Sequence, residues 1–138
     1  MGEALEPSLQ DAFPAVLQRF PQTRLEIWVR TLKDALADVN EWGRLAYIVN
    51  EERLPSLAVM LAWRPGLLPA LLPELAPAFQ DLMATGDWGV MDAARRQALT
   101  RLREIAAGLN ALLDSPDAAS PTWLQDELHR RYLAPLGL

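Results

Sequence analysis

One histidine, His129, stands three residues after Asp126, and the chain has no cysteine. On a helix an i,i+3 Asp–His pair shares a face, which is half of a metal site or of an acid–base couple. A ferritin-like di-metal bundle needs two Glu-x-x-His pairs, hence two histidines. No thiol is present to complete a zinc or iron–sulfur site. His129 therefore reads as a surface residue near a helix C-terminus, where its cation meets the helix dipole favourably. No metal and no cofactor is expected. Nucleophiles are as sparse. Ser8, Ser56, Ser115 and Ser120 all fall at expected helix starts or just past a helix end, where capping accounts for them. Neither common glycine-rich phosphate loop occurs. Lys33, the lone lysine, lies opposite an apolar stripe and reads as a solvated charge. Glu51, Glu52 and Arg53 are adjacent and cannot face one way on a helix. No catalytic constellation is visible, and the expectation is a protein that is not an enzyme.

Charge offers a second kind of chemistry. Arg95, Arg96, Arg101 and Arg103 form the one basic cluster, and on a 3.6-residue period Arg96 and Arg103 share a direction. With Arg130 and Arg131 they are what a nucleic-acid-linked regulator would use. The net charge of −5 and the sequence pI near 4.8 oppose that use. So does the lack of interleaved exposed aromatics, because stacking and phosphate neutralisation supply most of such affinity. Asp92 lies four residues before Arg96 and Glu104 three after Arg101, so an ion-paired, solvated helix face is favoured and nucleic acid is disfavoured as a partner.

The five tryptophans are the better clue. Trp28 lies on an apolar stripe and reads as core. Trp42 and Trp88 each precede a glycine, Gly43 and Gly89, at helix–helix turns 46 residues apart. That spacing fits either two ordinary turns or a duplicated helical hairpin, and two ordinary turns are the simpler reading. Trp63 beside Arg64 ends an apolar segment, and Trp123 stands off the stripe Leu124, Leu128, Tyr132. Trp and Arg combine large area with a polar handle and are favoured at interface hot spots.

The elements that must position these residues are helical. The chain has 138 residues, with 26 Leu and 21 Ala against nine Val plus Ile. Leu and Ala lose little rotamer freedom in a helix, whereas strands prefer β-branched residues. The length fits a single domain spanning 1–138 with a sizeable core, the ends 1–7 and 134–138 frayed. The fold class expected is all-α, a compact bundle of about five to seven helices. A short helix over 8–19 must start near Pro14 or kink there. Thr23 caps a helix over 23–39, carrying Leu25, Trp28, Val29, Leu32, Leu36 and Val39 on one stripe, with Ile27 off it. Residues 45–53 and 56–63 follow as shorter helices, the second capped by Ser56. The stretch 75–84 is helical and ends at Thr85-Gly86. Asp92 is placed as the cap of a long helix over 92–113, and Ser120-Pro121 starts a last one reaching about Leu133.

Residues 54–79 are unusual: 26 residues hold two charges, Arg64 and Glu74, and five prolines. Pro65, Pro69, Pro73 and Pro77 recur every four residues, which breaks a straight helix into short turns. The apolar residues here exceed what one small bundle requires. The leading expectation is a non-catalytic interaction or adaptor module that self-associates through this segment. Its contact residues would be Trp63, Arg64, Leu67, Leu68 and Leu71, with Trp123 and Ile27. The partner would be a protein, this chain itself included. The alternative is an apolar-ligand or membrane-surface protein. Residues 54–73 have the length of a span, about 20 residues, but Arg64, Pro65 and Gly66 interrupt it, so no transmembrane span is expected. The N-terminal residues MGEALEPSLQDAF carry acids where a signal peptide needs positive charge. A cytoplasmic location is expected, and the Ala, Leu, Pro and Arg bias suggests a bacterial source.

Overall fold

A computed structural model describes residues 6–138. The helices are α1 (Ala12–Arg19), α2 (Arg24–Val39), α3 (Arg44–Asn50), α4 (Leu54–Ala62), α5 (Leu68–Leu71), α6 (Leu75–Thr85), α7 (Gly89–Asp114) and α8 (Pro121–Leu128). A 3-10 turn (Pro116–Ala119) joins α7 to α8. After α8 the backbone widens into a π turn (His129–Leu133) and closes in a 3-10 turn (Ala134–Leu136). Among the described residues there is no strand, and the molecule is an all-α bundle.

Local chemistry explains most boundaries. The Thr23 hydroxyl accepts the Glu26 N–H at 3.4 Å, and the Glu26 carboxylate reaches back to the Gln22 N–H at 2.5 Å. One orphan donor at the start of α2 is thereby satisfied, and the carboxylate ties down the residue before the cap. Ser120 caps α8 with Pro121 behind it, as expected. Gly86 takes φ 73° and ends α6 in the left-handed conformation that glycine adopts without strain. The proline run behaves as its spacing requires. Pro69 lies in the first turn of the single-turn α5 and Pro77 in the first turn of α6, while Pro65 and Pro73 fall in connections. Pro14 likewise sits in the first turn of α1, where a missing N–H costs nothing.

Several expectations are corrected. Asp92 is not the cap of α7, which starts at Gly89, where the Asp87 carboxylate accepts the Gly89 N–H at 2.8 Å. Asp92 lies inside the first turn and binds arginines instead. Ser56 is inside α4, which opens at Leu54 with Pro55 in its first turn. Lys33 lies over the Phe13 ring, 4.4 Å from its centre, in a cation–π contact. The end 134–138 does not fray: Arg24 donates to the Leu138 carbonyl at 3.0 Å, and the Leu138 N–H donates to Leu133. At the other end, Glu6 is tied down as described below, while residues 1–5 of the expected frayed end lie outside the described residues.

The core sits where α7 meets α1, α2, α3 and α6. Leu32, Leu36, Leu102 and Leu109 are fully buried there. Trp28 is 1% exposed and stacks on Tyr132, ring centres 4.6 Å apart at 17°. Gly108 of α7 leaves room for that tyrosine: a Cβ there would lie 3.1 Å from its hydroxyl. Helix α4 packs chiefly against α3 and adds Leu57 and Met60 to the core.

Candidate interaction surface

Helix α4, LPSLAVMLA, contains no charge, and its apolar residues cannot all turn inward. Leu57 and Met60, three residues apart, are buried. Leu54, Pro55, Ala58, Val59, Ala62 and the capping residue Trp63 are exposed. Val59 is 67% and Trp63 81% exposed, and Tyr47 on α3 is 55% exposed beside them. These helices frame an open groove of about 540 Å³, with Tyr47, Ile48, Val59, Met60 and Trp63 among its lining residues and Arg44 at its edge. A smaller hollow of about 260 Å³ is lined by Leu54, Leu82, exposed Met83 and Trp88.

Charges stand around this ridge without entering it. Arg44 pairs with Asp38 at 3.2 Å; burial pushes the Asp38 carboxyl up, with Arg44 opposing and Asp34 adding to the rise. Arg53, which precedes α4, donates to the Tyr47 hydroxyl at 3.2 Å and lies near its ring. Arg64, past the end of α4, donates to the carbonyls of Leu61 (3.2 Å) and Leu72 (3.5 Å), and burial lowers its pKa. Glu52, in the α3–α4 turn, has φ 49°, a left-handed conformation that costs a side chain with a Cβ roughly 1 kcal/mol.

The residues expected to bind a partner are scattered by the fold. Trp63 is fully presented, Arg64 is turned back onto backbone, and Leu67 is half-buried against the core. Leu68 and Leu71 are buried, because the single turn α5 lays them against α2. They are core residues, not contacts. Trp123 is half-buried and packs on the core. Ile27 is exposed on α2, outside the groove. Sequence reasoning missed Tyr47 and Val59. LAYIV and LPSLAVMLA are apolar on every face, so neither carries a periodic signal that separates inside from outside.

The basic cluster resolves into ion pairs. Arg95 is buried and donates to the Val39 carbonyl at 3.0 Å and to Asp92 at 3.1 Å, closing the C-terminus of α2. Arg96 binds the other Asp92 oxygen at 2.8 Å, and Arg101 binds Glu74. Arg103 reaches Glu6 and Glu41, each at 3.0 Å. Burial would raise the Glu6 pKa, but bonds from Arg103, Ser8 and Asn40 outweigh it and hold the carboxylate below its ordinary value. Arg130 and Arg131 share Glu127. Every arginine singled out for nucleic acid thus has a carboxylate beside it.

His129 donates to or accepts from no metal-ligand set; its Nε2 lies 3.1 Å from the Leu138 carbonyl oxygen. Among the described residues no group of three His, Asp or Glu is placed to hold a metal ion, and no helix is long and apolar enough to cross a membrane.

What these observations define is a small all-helical bundle with one uncharged helix laid on its outside. Residues 1–131 match the model of a family described as "Family of unknown function (DUF6866) C-terminal domain", and the chain belongs to that family. No curated protein and no solved structure matches it.

Proposed function

We propose that this domain is a helical protein–protein interaction module, and that the exposed face of α3 and α4 is its docking surface. The observation that carries the reading is Trp63, 81% exposed at the end of a helix without a single charge. Burying such a side chain in a partner yields roughly 1.5–3 kcal/mol on its own. Val59 and Tyr47 extend the same apolar surface across the groove. Support also comes from the charges: the arginines singled out on α7 and after α8 are each paired with a carboxylate, whereas α4 exposes apolar side chains with no charge among them. The domain acts by binding, with no chemical step.

Photo-crosslinking tests this directly. A photoreactive side chain placed at Val59 should give a discrete covalent adduct with a protein in cells, and the same group at exposed Glu104 on α7 should not. Adding Trp63→Ala should abolish the Val59 adduct while leaving thermal unfolding unchanged. A Val59 probe that captures no more than the Glu104 probe sinks the reading. Co-sedimentation of the purified protein with lipid vesicles, lost in Trp63→Ala, would assign the face to a membrane surface instead.

A further inference from the structure

We draw no further inference here: the strongest candidate, the exposed apolar face of α4 that Val59 and Trp63 present, belongs to the docking surface already proposed, and nothing in the structure shows what covers it.

Discussion

Trp28 and Trp63 show two fates for one side chain. Trp28 is enclosed by α2, α7 and the π turn, stacked on Tyr132 at 4.6 Å. Trp63 ends a helix that rests chiefly on one neighbour, and four-fifths of it is exposed. The difference lies in the surrounding pattern, not in the residue. Trp28 is in phase with Leu25, Leu32 and Leu36, and the other face of α2 carries Glu26, Arg30 and Asp34, so the helix has one way to turn. Helix α4 has no polar face to orient it. Its inward side is chosen by what α3 can cover, and the remainder is left outside.

The largest expected effect follows from that contrast. Trp28→Ala should cost about 3–5 kcal/mol, because it removes a buried aromatic and leaves Tyr132 without its stacking partner. Trp63→Ala should change stability by no more than about 0.5 kcal/mol, as surface substitutions do. Denaturant unfolding of the two variants side by side is the measurement. Comparable losses would mean that Trp63 is packed as Trp28 is, and the distinction between the two regions would disappear.

A smaller effect separates the two Trp-Gly turns that look alike in sequence. At Gly43 a Cβ would lie 2.3 Å from the Ala37 carbonyl oxygen and 2.7 Å from that of Asp38, both backbone atoms that cannot step aside. At Gly89 it would meet the Asp87 carboxylate at 2.9 Å, the movable end of a side chain. Gly43→Ala should therefore cost about 1–3 kcal/mol by forcing the α2–α3 turn open. Gly89→Ala should cost about 1 kcal/mol or less, the worth of a disturbed cap. Equal losses would restore the idea of equivalent turns.

These turns also mark how far the sequence could be read. The all-helical class, α2 with its Thr23 cap, the Ser120-Pro121 start and the proline-broken stretch were legible, because each rests on chemistry within four residues. The start of α7 was misplaced because Asp87 and Asp92 offer the same cap, and only the fold shows that Asp92 is occupied by Arg95 and Arg96. The partners of Arg101 and Arg103 were illegible: Glu74, Glu41 and Glu6 lie 27, 62 and 97 positions away. For the proposed docking face, Trp63 could be picked out as the large residue closing an uncharged run. Leu68 and Leu71 were drawn in by that same run, since apolar composition without a period cannot say which leucines α2 will cover.

Acid should act on one of these regions and spare the other. The α7 side holds its arrangement through carboxylates, and α4 from Leu54 to Ala62 has no titratable side chain. Glu6 is the informative group, its side chain only 5% exposed and bonded to Arg103, Ser8 and Asn40. Because its folded pKa lies below the ordinary 4.5, its contribution is fully present above 4.5 and is lost as the pH falls through the lower folded value. Asp92 is lowered likewise and adds to the acid loss; Asp38, raised by burial, works in the opposite sense and blunts it. Glu6→Gln should cost about 1 kcal/mol at neutral pH, since Arg103 keeps Glu41. The deficit should shrink to nothing once Glu6 is protonated in the wild type, so the two unfolding curves converge at acid pH. A constant gap between them at all pH values would show that Glu6 acts by shape and hydrogen bonding alone, and that its charge does not distinguish the α7 side from the α4 face.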